Sequence, residues 1–165
     1  MKMKQKKVYL TVGIPASGKT TFIKNRIKEF GGLHISRDEV RFSLLKPEDD
    51  YFGIENKVFA VFAQRVQDAI NDENGPDEIY VDATHISEGS RRKILKRLDL
   101  TNAKVITLFF NASLETALKR NSSRTGRALV PESAMLSMYS NITKPSTEKY
   151  VVWTINEDGE VISIE

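Results

Sequence analysis

The run Gly13-Ile14-Pro15-Ala16-Ser17-Gly18-Lys19-Thr20 sets two glycines, a lysine and a threonine at the spacing Gly-x4-Gly-Lys-[Ser/Thr]. Those residue types in that order suit the chemistry of holding phosphate. Glycines let successive backbone N–H groups turn inward around phosphate oxygens, and a helix opening behind them adds the positive end of its dipole. Lys19 would reach the outer phosphates and the Thr20 hydroxyl would ligate Mg²⁺. The flanks agree with this: Val8-Tyr9-Leu10-Thr11-Val12 reads as a strand, and a helical stretch opens at Thr21-Phe22-Ile23. We therefore expect Gly13, Pro15, Ala16, Ser17, Gly18, Lys19, Thr20 and Thr21 to bind a nucleoside triphosphate.

Further along lie groups that could act on such a ligand. The segment His34-Ile35-Ser36-Arg37-Asp38-Glu39-Val40-Arg41 follows a second strand, and ligands in open α/β sheets gather at the carboxyl ends of strands. Asp38 there could orient an attacking hydroxyl and take its proton. It could equally be an acid favouring a helix dipole, because Ser36-x-x-Glu39 fits a capping box. Arg41, three residues on, shares its helix face; it could pair with an acceptor phosphate or be a surface charge. Glu78-Ile79-Tyr80-Val81-Asp82 is an apolar strand ending in a carboxylate, an arrangement in which the acid helps to hold Mg²⁺ or its water shell. Thr84 and His85 follow in the loop, where Thr84 is a plausible substrate contact. His85, one of two histidines, is expected to face solvent. Lys119-Arg120-Asn121-Ser122-Ser123-Arg124-Thr125-Gly126-Arg127 could close as a lid that brings arginines onto a transferring phosphate, or be a solvated basic loop.

These groups must be positioned by alternating strands and helices, which predicts an α/β fold with a parallel sheet. Strands are expected at Val8–Val12, Gly32–Ile35, Glu78–Val81, Lys104–Phe110 and Tyr150–Ile155. A helix is expected from Ile54 to Ile70, with Ile54, Val58, Val61, Phe62, Val66 and Ala69 on its core stripe. A second helix follows Ser87, with Ile94, Leu95 and Leu98 inward and Arg91, Arg92, Lys93, Lys96 and Arg97 outward. Pro131 suits the first turn of another helix. Asn74-Gly75-Pro76-Asp77 marks a turn, and the tail reads as a hairpin from Val151–Ile155 through Glu157-Asp158-Gly159 to Val161–Ile164. Without repeat or linker, residues 1–165 are read as one domain.

Composition narrows the function classes. With no cysteine, neither a disulfide nor a thiolate nucleophile nor a Cys-type metal site is available. No apolar stretch approaches the roughly 18 residues of a membrane span, and Met1–Lys7 is read as a solvated lead-in to the first strand rather than a signal peptide. A cytoplasmic protein is expected. The net charge of +3 is a weak pointer to anionic partners.

Taken together, several segments resemble the kinase domain of phage-type polynucleotide 5′-hydroxyl kinases. They are the Gly-x-Pro-x-Ser-Gly-Lys-Thr loop, Ser36-Arg37-Asp38-Glu39-Val40-Arg41, Val81-Asp82-Ala83-Thr84, Lys119-Arg120-Asn121-Ser122-x-Arg124, Val130-Pro131 and Ser137-Met138-Tyr139. The likeness runs from about Lys7 to Tyr139. It implies a P-loop NTPase-type sheet flanked by helices, ATP and Mg²⁺, and the 5′ ends of DNA or RNA as substrate. By the same resemblance Lys19 and Thr20 hold nucleotide phosphates and metal. Asp38 is the general base, Arg41 contacts an acceptor phosphate, Arg124 stabilises the transferring phosphoryl group, and Arg120 sits at the lid base near the nucleotide. Ala16 stands where members often have glycine, at a position expected not to need positive φ. No Asp-x-Asp-Gly-Thr motif occurs, so kinase activity without 3′-phosphatase activity is expected.

Two other readings fit less well. A kinase of the same build could act on a small molecule, such as a sugar nucleotide or an antibiotic, or on an aminoacyl-tRNA. An NTP-dependent switch would not need a carboxylate at Asp38. The stretch from Pro47 to Gly75 and the tail after Asn141 match nothing in the family pattern.

Overall fold

The computed structural model describes residues 4–50 and 53–165. Of the lead-in, Met1–Met3 lie outside the described residues, and Lys6 and Lys7 already belong to the first strand. The elements follow in the order β1 (Lys6–Val12), α1 (Lys19–Phe30), β2 (Leu33–Ser36), α2 (Arg37–Leu44), α3 (Glu55–Asn71), β3 (Glu78–Asp82), α4 (Glu88–Arg97), β4 (Ala103–Phe110), α5 (Leu114–Ser122), α6 (Glu132–Asn141), β5 (Val151–Ile155) and β6 (Val161–Ile164). A 3-10 turn at Gly126–Ala128 lies between α5 and α6.

The sheet order is β2-β3-β1-β4-β5-β6, all parallel except β6, which returns antiparallel to β5. β1 is flanked on both edges and buried on both faces. Val8 and Leu10 point to one side, where Val58, Phe62 and Val66 of α3 and Ile94 of α4 close the larger core. Tyr9 points to the other, with Phe22 and Ile23 of α1, Tyr80, Leu108 and Phe110. Full burial of a side chain such as Phe62 is worth about 1.5–3 kcal/mol, so β1 is pinned from both layers. The connection leaving β1 turns toward β2, and the one leaving β4 turns toward β5. That reversal opens a crevice at the carboxyl ends of β1 and β4, where such folds bind ligands.

The α/β class, the parallel sheet and the terminal hairpin stand as the sequence predicts, with strand ends moved by a residue or two. Four local expectations change. Gly32 precedes β2, with φ 138, because a Cβ there would meet Tyr80 at 3.0 Å and the Glu78 carbonyl at 3.1 Å. Pro131 precedes α6 rather than opening it. Lys6 is buried, its Nζ donating to the carbonyls of Asp72, Gly75 and Pro76 at 2.8–3.0 Å. Arg91 does not face outward: it is buried, donating to the carbonyl of His85 at 2.8 Å and to Thr143 Oγ1 at 2.7 Å. Among the described residues, no helix is long and apolar enough to cross a membrane.

Candidate active site

The loop between β1 and α1 is anchored at its start, where the Gly13 N–H donates to the Thr84 carbonyl at 2.9 Å. A side chain at Gly13 would not fit, since its Cβ would come within 2.7 Å of Ser17 Oγ and 3.0 Å of Phe110 Cβ. Gly18 takes φ 102 to turn the chain into α1. Ala16 takes φ 64, which corrects the expectation that this position does without positive φ. The left-handed region costs a residue with a Cβ roughly 1 kcal/mol, so the curl of the loop is favoured strongly enough to override that cost.

Lys19 is the first residue of α1 and is buried. Its Nζ donates to the carbonyls of Gly13 at 2.9 Å and Ile14 at 2.8 Å, folded back along the loop. Burial pulls the ammonium pKa down to about 8; the charges of Asp82 and Asp38 act to raise it and Arg124 to lower it. Groups from β3, α2 and the segment after α5 therefore converge on this one side chain.

Asp82, at the carboxyl end of β3, is buried and accepts from Thr20 Oγ1 at 3.2 Å and from His34 Nε2 at 2.8 Å, both on Oδ2. Burial alone would raise its pKa, but the His34 bond, the Lys19 charge and the Thr20 hydroxyl hold it below the usual carboxylate range. An ionised carboxylate accepts only, so Nε2 of His34 carries the proton. Two oxygen donors 3.2 Å apart suit a hard divalent ion that takes its remaining ligands from phosphate and water. No group of three or more His, Cys, Asp or Glu that could hold a metal ion occurs among the described residues. His34 went unread in the sequence. In the parallel register Ser36 lies opposite Asp82, so the strand parity of His34 is the signal that finds it once β2 and β3 are known to be neighbours.

Asp38 stands on the first turn of α2, behind a cap in which Ser36 Oγ accepts from the Glu39 N–H at 3.3 Å. The capping reading of this segment holds, and the capped helix carries an Asp38 carboxylate that is 69% exposed. Arg41 Nη1 donates to Asp38 Oδ1 at 2.5 Å. Arg41 is buried rather than a surface charge, and its Nε and Nη2 donate to the two oxygens of Glu55 at 2.7 and 3.2 Å. Arg37 also donates to Glu55, at 3.1 Å. Glu55 and Arg37, which join the Asp38–Arg41 pair, were not singled out from the sequence.

Thr84 is half-buried, and its carbonyl holds the phosphate loop. His85 is not solvent-facing. It is buried at φ 44, with Nδ1–H donating to the Thr11 carbonyl at 2.7 Å, and burial lowers its pKa to about 4.

The basic segment after α5 packs over the site. Asn121 clamps its base, donating to the Val130 carbonyl at 2.7 Å and accepting from the Val130 N–H at 3.0 Å. Arg120 bridges the Ala16 carbonyl at 3.4 Å and the Glu157 carbonyl at 2.5 Å. At the tip, the Arg127 guanidinium lies 5.6 Å over the Phe42 ring of α2. Between α1, Arg120, Arg124 and the turn at Glu157–Gly159 is a cavity of about 720 Å³, which gives the tail a place beside the phosphate loop.

The sequence pattern of one family, described as an AAA domain, matches residues 8–145. No curated protein matches significantly. Among solved structures, a sugar kinase from Janibacter sp. HTCC2649 is 16% identical at TM-score 0.65, over 94% of this chain and 87% of that one. A fungal RNA kinase is 16% identical at TM-score 0.63, over 94% and 75%. A chain of the Pnkp1/Rnl/Hen1 RNA repair complex is 23% identical at TM-score 0.67, over 85% of this chain and 45% of that one. At these identities the likeness is one of fold. With most of its length inside the matched pattern, the chain belongs to the AAA-domain family and has the fold of the P-loop kinases.

Proposed function

We propose that this chain is an ATP-dependent kinase that transfers the γ-phosphate to the 5′-hydroxyl of a polynucleotide. The observation that carries the reading is the exposed Asp38 carboxylate on a capped helix, paired with Arg41 and close enough for its charge to act on Lys19. A switch or binding module has no use for a carboxylate there, whereas a hydroxyl acceptor needs one to align it and accept its proton. Lys19, Thr20 and the loop N–H groups hold the triphosphate, and Thr20 with Asp82 holds Mg²⁺. The bound ion supplies charge neutralisation on the phosphate oxygens. Arg124 meets charge on the transferring group, Arg120 borders the nucleoside, and Thr84 borders the acceptor. Arg37 and Arg41 stand on α2 and Arg127 lies over its Phe42 ring, guanidinium N–H donors of the kind that position a phosphodiester acceptor.

The fold likeness to sugar kinases equally favours a second reading, phosphorylation of a small hydroxylated molecule. Transfer of labelled γ-phosphate with Mg²⁺ to short 5′-hydroxyl DNA and RNA, run beside a panel of sugars, separates the two. Label on the oligonucleotide, absent in Asp38→Asn, is the expected result. Label on a sugar alone would replace the acceptor and leave the phosphate-loop assignment standing.

A further inference from the structure

Glu55 opens α3, an element that contributes no residue of the phosphate loop, yet its carboxylate reaches both arginines of α2. Arg41 meets it side-on, Nε to Oε1 at 2.7 Å and Nη2 to Oε2 at 3.2 Å, the two-pronged geometry that fixes a guanidinium plane as well as its position. Arg37 adds a third bond at 3.1 Å on Oε2. Burial alone would raise the Glu55 pKa; the bonds and charges of Arg41 and Arg37 hold it low, so the carboxylate stays ionised. With that plane fixed, the Nη1 edge of Arg41 is turned onto Asp38 Oδ1. The arginine is only 10% exposed and Glu55 28%, while Asp38 is 69% exposed, so the less exposed Glu55 side of the chain sets the geometry.

We propose that Glu55 is a positioning residue for the acceptor side of the reaction: it locks Arg41, and through Arg41 it aims Asp38 at the hydroxyl to be phosphorylated. The inference rests on the kinase reading above. An acid at a helix start could instead serve only the helix dipole, and that simpler role would move thermal stability without moving turnover.

The test uses Glu55→Ala and Glu55→Gln in the full chain, with kinetics on a 5′-hydroxyl oligonucleotide and ¹⁵N NMR of arginine Nε–H groups. Glu55→Ala should lower kcat roughly 10- to 100-fold, the range seen when the partner behind a working group is removed, with KM for ATP unchanged. Glu55→Gln keeps one acceptor for Arg41 Nε–H and should recover part of the loss, and it serves as the variant of record if the alanine form fails to fold. In an Arg41→Ala background Glu55→Ala should cost nothing more, because the two act as one unit. The Arg41 Nε–H signal should be protected from exchange in the wild type and lose that protection in Glu55→Ala. Wild-type kcat in Glu55→Ala, or additive losses with Arg41→Ala, overturns the inference while the acceptor reading stands. If the wild type labels no oligonucleotide, the acceptor reading falls. The NMR arm then still decides: unchanged protection in Glu55→Ala overturns the positioning role, and lost protection upholds it for another hydroxyl acceptor.

Discussion

Lys19 is held in an unusual state for a residue proposed to meet a triphosphate. Burial leaves its pKa at about 8 while it bonds to carbonyls of its own loop. Phosphate oxygens arriving beside it favour the charged form, so the bound pKa lies higher than the free one. The sign follows: the free protein loses this proton as pH rises through about 8, and the ligand prefers the protonated form. Affinity for ATP should be level below about pH 7 and fall toward tenfold per unit above 8, with proton uptake on binding. Calorimetry in buffers of different ionisation enthalpy measures both, and a flat profile with no proton uptake would remove Lys19 from ground-state binding. On the proposed reading Asp38 acts at the other step. A general base contributes roughly 10²–10⁴ in rate, so Asp38→Asn should lose that much kcat and keep its ATP affinity. Near-wild-type kcat would mean that Asp38 merely balances Arg41. The four charges of Arg37, Arg41, Asp38 and Glu55 sum to zero, so Arg41 works through directed N–H donors rather than as a lone cation, a distinction the sequence spacing did not carry.

The loop after β3 shows how an element can depend on a distant one. Arg91 of α4 ties the carbonyl of His85 to Thr143 beyond α6, a partner 52 residues away. The same loop supplies the Thr84 carbonyl that holds Gly13. Arg91→Ala leaves the buried His85 carbonyl without this donor, which costs about 1–3 kcal/mol, and Arg91→Lys cannot span both sites with its single ammonium. Urea unfolding should show that loss in both variants, accompanied by weaker ATP binding because the anchor of Gly13 loosens. Stability unchanged within about 0.5 kcal/mol would show that the bonds of Arg91 make no net contribution to the fold. The helices and strands themselves were legible, since Val58, Phe62 and Val66 recur at helical spacing and Val8–Val12 is an unbroken apolar run before a turn. The fates of Arg91 and His85 were not. A polar residue at a helix start or in a loop reads as exposed until the element that will cover it is known, and α6 was visible only as Pro131 and a short pattern.

At the scale of the molecule the site divides along the sheet. On the proposed reading the nucleotide side is built by β1, α1, α5 and the hairpin turn, and the acceptor side by α2 and α3, with the segment carrying Arg124 and Arg127 spanning both. The half that a contiguous motif encodes, Gly13–Thr20, was readable in full apart from the backbone of Ala16. The half that depends on tertiary neighbours was not: His34 needed the β2–β3 register, and Glu55 lies in a stretch without a motif. The hairpin turn is the furthest such case, and Arg120 joins it to the phosphate loop by donating to the Ala16 and Glu157 carbonyls. If that guanidinium transmits the ordering of the loop, bound ATP·Mg²⁺ should slow hydrogen exchange at Glu157–Gly159 as well as at Gly13–Thr20. At about 100 times Kd the ligand adds roughly 2.7 kcal/mol, which for a domain of this size raises Tm by about 5–11 °C. Arg120→Ala should keep most of the protection in the loop and lose it at the turn. Equal protection of the turn in that variant would show that the nucleoside reaches Glu157–Gly159 directly, across the cavity, without the arginine between them.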